Sequence, residues 1–219
     1  MVAIEQHVAL SGEGRIALPR LRGWIVIAVL AALAGGGGLA ARGFTEGGWR
    51  LGSELVWRFT CFVFFAATVA GPLGRLIPWQ RLREACENRR QLIWGFCAGF
   101  AVYLFGLRMA DLVAFGNRAG VMAGIGIFDL FGAVLIVIVA CTASRRAAFF
   151  LGERVRRIVL GAGLCCFWLA YALTGLGHIS GPHRPDMFYG VSILLMVAAL
   201  LLRFADNFAA KIRSGRNPA

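Results

Sequence analysis

The sequence predicts an all-α integral membrane protein: a bundle of six transmembrane helices with both termini in the cytoplasm. Three observations predict it. First, 59% of the 219 residues are hydrophobic and 16% are charged, against about 25% charged in soluble domains. Second, apolar runs of about 20 residues, the length that crosses a bilayer, recur along the whole chain. Third, arginine and lysine are dense in every second loop, as expected when the basic side faces the cytoplasm.

Residues 1–22 read as a cytoplasmic tail, 23–204 as the transmembrane domain and 205–219 as a basic cytoplasmic tail. The first span is predicted at Gly23–Ala41. Its apolar stretch is long, and Gly35–Gly38 is a poor cleavage site, so it reads as a retained helix rather than a signal peptide. The four glycines either weaken its outer end or let a neighbour pack closely. The second span follows at Ser53–Leu73 and the third at Leu92–Leu107. The fourth is predicted at Ala119–Cys141, the fifth at Ile158–Leu176 and the sixth at Met187–Phe204. No tract between them is long enough for a second domain. Trp24, Trp49, Trp57, Trp79 and Trp94 fall near predicted span ends, as interfacial anchors do. Trp168 is the predicted buried exception.

The net charge is +12, which by itself would suit nucleic acid. Its distribution excludes that reading. With six spans, 17 basic residues fall on one side: Arg15, Arg20 and Arg22; Arg75, Arg81, Arg83, Arg89 and Arg90; Arg145, Arg146, Arg154, Arg156 and Arg157; and Arg203, Lys211, Arg213 and Arg216. Five fall on the other: Arg42, Arg50, Arg108, Arg118 and Arg184. The expected partners are membrane lipids, anionic headgroups above all, and no nucleic acid. A single lysine among 23 basic residues suggests a GC-rich bacterial genome, hence a bacterial inner membrane.

The six cysteines form no C-x-x-C pair and no Cys/His ligand spacing, which argues against zinc and iron–sulfur sites. The sequence contains no phosphate loop, dinucleotide fingerprint or H-E-x-x-H. Two ionisable groups fall within predicted spans. Asp129 lies about ten residues into the fourth, roughly 15 Å deep, and Arg58 about five residues into the second, roughly 8 Å deep. Charges at such depth are costly unless paired. Arg58 and Asp129 are therefore expected to form an ion pair, with a proton or substrate site as the alternative. Arg108 and Asp111 read as a water-facing cap on the third helix, with no assigned chemistry. Gly95, Gly99 and Tyr103 share one face of the third helix. Gly120, Gly124 and Gly132 repeat this theme on the fourth, and Gly161 and Cys165 on the fifth. Close helix packing is expected there, with room for a flat cofactor as the alternative.

Several segments resemble the ferric-reductase-like transmembrane family, particularly its bacterial branch, which includes the haem-binding membrane subunit of the methionine sulfoxide reductase system. Leu55-Val-Trp-Arg58-Phe leading to Val69-Ala-Gly-Pro72-Leu-Gly-Arg75-Leu resembles the family's arginine-bearing helix and its Pro-Leu-x-Arg-Leu turn. Arg89-Arg90-Gln-Leu92 resembles the opening of its third helix. Cys141-Thr142-Ala-Ser144 through Leu151-Gly152 to Arg154-Val-Arg156-Arg157 resembles the loop before its fifth, and Pro185–Arg203 its last helix. The similarity covers about residues 50–205.

The resemblance implies haem b held by paired histidines. The matched positions here are Tyr103, Arg156 and approximately Leu169, and no histidine lies between His7 and His178. Neither tyrosine nor thiolate is a natural substitute for two facing imidazoles. His178 and His183 are the remaining candidates for a metal or a haem edge, against a reading as hydrated loop histidines. The expected function is therefore a haem-free relative of the family, not an enzyme by itself. It would act as a structural or partner-binding subunit beside another membrane or redox protein. The alternatives are an oxidoreductase membrane subunit that carries haem or quinone through atypical ligands, and a small transporter using Arg58 and Asp129.

Overall fold

The computed structural model describes residues 23–76, 89–116, 127–180 and 187–215. His7, His183, Trp79, Cys86, Gly120 and Gly124 lie outside the described residues. Among the described residues seven helices are present: α1 (Gly23–Arg42), α2 (Glu46–Leu76), α3 (Arg89–Phe115), α4 (Ile127–Ala143), α5 (Arg145–Leu151), α6 (Glu153–Ser180) and α7 (Met187–Gly215). No strand occurs among the described residues. Five helices, α1, α2, α3, α6 and α7, are long and apolar enough to cross a membrane. The described part of α4 is shorter but also apolar.

Local chemistry sets the helix ends, and it moves several of them beyond the predicted spans. Gly43 takes φ +70° and returns its N–H to Leu39 O at 2.7 Å, closing α1. Thr45 then caps α2, its Oγ1 accepting from Gly48 N at 3.2 Å. Glu46 adds an acid in the first turn, where the helix dipole favours it. The second helix therefore begins seven residues before the predicted Ser53. Gly116, at φ +66°, ends α3 by donating to Leu112 O at 2.9 Å, eight residues past the predicted Leu107. The last helix runs on through the predicted basic tail to Gly215.

Pro72 lies inside α2 and brings no N–H to the carbonyl four residues back. The start of α3 serves the same turn: Arg89 Nε donates to Ala67 O at 2.9 Å. Beside it, Gln91 Oε1 accepts from Gly23 N at 2.5 Å and caps the first turn of α1. Two residues in the first turn of α3, Arg89 and Gln91, thus tie it to α2 and α1.

Helix α2 packs on α3, α3 on α4, α4 on α6, α6 on α7 and α7 back on α2. These five form a closed ring, and α1 lies outside it against α2 and α3. Lipid tails are as apolar as leucine, so such a bundle is held by close van der Waals packing more than by the hydrophobic effect. Glycines supply the close approaches. A Cβ on Gly38 of α1 would lie 2.2 Å from Gly52 N of α2, and one on Gly52 would lie 2.6 Å from Gly35 O. The Gly35–Gly38 run is therefore a packing surface on one side only, since Gly36 and Gly37 meet nothing within 4 Å.

At Gly95 and Gly99 neighbouring helices come close. A Cβ on Gly95 would lie 2.6 Å from Ile27 Cδ1, and one on Gly99 would lie 2.7 Å from Thr60 Cγ2. On the fifth predicted span the expected face is wrong. Gly161 has no neighbour within 4 Å, and Cys165 is exposed. The packed face is instead Gly163, Leu164, Phe167 and Tyr171, with a Gly163 Cβ placed 2.5 Å from Val139 Cγ2. Half-buried Trp168 crosses from α6 to α7, donating its Nε1–H to Met196 O at 3.1 Å.

Candidate functional site

The centre of the ring is filled with aromatic side chains. Phe96 and Phe100 of α3, Phe64 of α2, and Phe167 and Tyr171 of α6 belong to one buried cluster. Ring centroids stand 5.1 Å apart for Phe64 and Phe96, 4.9 Å for Phe96 and Phe167, and 5.2 Å for Phe100 and Phe167. These are ordinary edge-to-face and tilted separations. Trp57 extends the cluster, 4.3 Å from Tyr171 and 5.1 Å from Tyr103. The sequence expects Trp57 at a membrane interface. It lies inside because α2 starts at Glu46, which puts Trp57 eleven residues, roughly 16 Å, along the helix.

One hydroxyl pair lies within this apolar centre. Thr60 Oγ1 donates to Trp57 O at 2.9 Å and stands 3.1 Å from Tyr171 Oη, with Thr60 at 0% and Tyr171 at 4% exposure. Tyr171→Phe removes that bond but leaves Thr60 its bond to Trp57 O. The expected cost is about 0.5–1.5 kcal/mol, the usual net value of one hydrogen bond. Unfolding midpoints of the purified protein in detergent check it.

The three positions matched to haem ligands do not converge. Tyr103 is packed between Trp57 and Phe100, whose centroids lie 5.1 and 5.3 Å away. Leu169 is 51% exposed on α6. Arg156, near the start of α6, donates to both Glu153 oxygens at 3.0 and 2.9 Å. The aromatic rings fill the space between the helices, and these residues do not fit a haem. A groove of about 310 Å³ between α1, α2 and α3, lined by Gly35, Gly52, Val56, Phe105 and others, offers no imidazole or thiolate. His178 falls in the last turns of α6, beyond the predicted span end at Leu176. Its partner candidate His183 is outside the described residues. No group of three metal-binding side chains occurs among the described residues.

The charged residues are arranged differently from the expected Arg58–Asp129 pair. Arg108 Nη2 donates to Asp129 Oδ2 at 2.5 Å, and its Nη1 donates to Asp111 Oδ2 at 2.9 Å. A single guanidinium thus joins two carboxylates and links α3 to α4. Arg58 forms its ion pair with Glu54, one turn earlier on α2, and its Cζ lies 5.1 Å over the Phe188 ring. The expected pairing fails because the predicted depth of Arg58 starts from Ser53 and a nearer arginine takes Asp129. Helix α2 begins earlier than Ser53, and Arg108 of the adjoining α3 meets Asp129 instead. The overlooked signals were local: Arg108 and Asp111 at i,i+3, and Glu54 and Arg58 at i,i+4. Asp206, a buried acid near the far end of α7, was also overlooked.

The fold and its apolar helices are those of a multi-pass helical membrane protein. Among known proteins, no family model, no curated sequence and no solved structure matches the chain.

Proposed function

We propose that the chain is a six-span protein of a bacterial inner membrane, with both termini cytoplasmic. On this reading it is a ferric-reductase-like scaffold without haem, serving as a structural or partner-binding subunit of a membrane complex. The observation that carries the proposal is the filled interior. The position matched to a third-helix haem ligand is Tyr103, wedged between Trp57 and Phe100. The other two matched positions, Arg156 and Leu169, lie apart from it on an ion pair and an exposed face. A scaffold with that interior has helix packing where an electron carrier would need ligands. The six-span count and the orientation rest on the 17-to-5 arginine and lysine bias.

The test is an absorption spectrum of the full chain purified in mild detergent from cells supplied with haem precursor. No Soret band is expected, and a membrane protein should co-purify in fixed ratio. A Soret band at near-stoichiometric haem would sink the haem-free reading. A chain that purifies alone, and stays alone after crosslinking in its native membrane, would sink the subunit reading.

A further inference from the structure

Helix α5 and the first turn of α6 carry an exposed apolar pair, unfavourable in water, beside exposed arginines, and a single environment suits both. Phe149 is 88% exposed and Phe150 is 80% exposed. Their rings lie edge to face at 5.6 Å. Leu151 continues the apolar surface at 44%. Fully exposed adjacent phenylalanines on a structured helix mark a contact surface. Beside them, Arg146 and Arg154 are exposed, and neither has an ion-pair partner among the described residues. Arg156 and Arg157, by contrast, are engaged by Glu153.

The helix is held in place rather than loosely connected. Ser144 caps it, accepting from Ala147 N at 3.1 Å, and Gly152 ends it at φ +72°. Arg156 N then returns to Gly152 O at 3.0 Å, so α6 starts directly from that turn. Helix α5 therefore joins the ends of two apolar helices. The helices on either side also carry exposed apolar side chains, Val137 and Ile138 on α4 and Val155 and Ile158 on α6. In a membrane-spanning bundle that surface faces lipid.

We infer that α5 and the first turn of α6 form a lipid-binding hook: Phe149 and Phe150 insert at the acyl–headgroup boundary while Arg146 and Arg154 bind the phosphates of anionic lipids. This rests on the membrane-spanning reading and not on the haem-free one. Rings at the boundary with arginines in the headgroup layer are the arrangement of amphipathic interfacial helices. The charge sign selects the partner. An arginine-flanked aromatic pair matches an anionic leaflet.

The test uses the full chain in nanodiscs with p-benzoylphenylalanine at position 150 or, as a control on the lipid-facing side of α7, at position 201. The discs contain phosphatidylcholine alone or with 30% phosphatidylglycerol (roughly the anionic fraction a bacterial membrane presents). On irradiation, position 150 is expected to yield lipid adducts enriched in phosphatidylglycerol over its share of the disc. Arg146→Gln with Arg154→Gln should cut that enrichment roughly twofold or more. Adducts at position 150 to a second polypeptide, or none while position 201 labels lipid, would overturn the inference alone. Unchanged headgroup preference in the double variant would also overturn it. Loss of lipid labelling at position 201 as well would instead overturn the membrane-spanning reading beneath it.

Discussion

Gly38→Ala is expected to destabilise the protein by about 3 kcal/mol or more, beyond the usual range for overpacking, while Gly37→Ala one residue away leaves it unchanged or more stable. The difference comes from which atoms are in the way. A Cβ on Gly38 would lie 2.2 Å from Gly52 N, 2.4 Å from Gly52 Cα and 2.9 Å from Leu51 C. These are backbone atoms of α2, and no rotamer change can move them. Helix α1 must separate from α2 and lose its contacts on both α2 and α3. Gly37 meets nothing within 4 Å, so its alanine variant shows only the intrinsic helix preference, about 0.5–1 kcal/mol in favour of alanine. Gly52→Ala should behave like Gly38→Ala, since its Cβ would strike Gly35 O at 2.6 Å. Unfolding of the purified variants by dodecyl sulfate in mixed micelles checks all three. Equal stability of the Gly38 and Gly37 variants would mean that α1 does not pack on α2 through this surface.

The pattern of what was readable follows from where each kind of information sits. The middles of α1, α2, α3, α6 and α7 were legible because hydropathy is a property of a single segment. Their ends were not, because Thr45, Gly116 and Gly152 act outside the apolar runs that define a span. Gly95 and Gly99 were legible as a packing face because i,i+4 spacing fixes a side of one helix. Gly163 was not, because which side of α6 faces Val139 depends on where α4 lies. The aromatic centre was hidden for the same reason. Phe64, Phe96 and Phe167 are ordinary apolar residues of three different spans until the ring of helices brings them together. The ionic site was half legible. Asp129 was singled out by its cost in an apolar run, and its partner was misassigned because pairing needs accurate depth on two helices at once.

Arg108→Ala is expected to cost about 2 kcal/mol or more, short of the 3–5 kcal/mol for a fully buried pair. The three side chains retain 22%, 15% and 28% exposure at Arg108, Asp111 and Asp129, so part of each charge remains solvated. Asp129→Asn should cost less, because Arg108 keeps its bond to Asp111 at 2.9 Å. Arg108→Lys should fall between them. Arg108 uses separate nitrogens for the two carboxylates, and a single ammonium cannot reproduce that fork. Combining Arg108→Ala with Asp129→Asn should cost less than the sum of the two, with a coupling of about 1 kcal/mol or more, because the pair meets directly. The measurement is the same unfolding titration, run as a double-mutant cycle. Zero coupling with full stability in every variant would remove the network from the fold's support. The two acids and the arginine would then be free of a structural duty, and the transporter reading, moved from Arg58 to Arg108 as the partner of Asp129, would become the stronger account of why charges are kept at the edge of an apolar bundle.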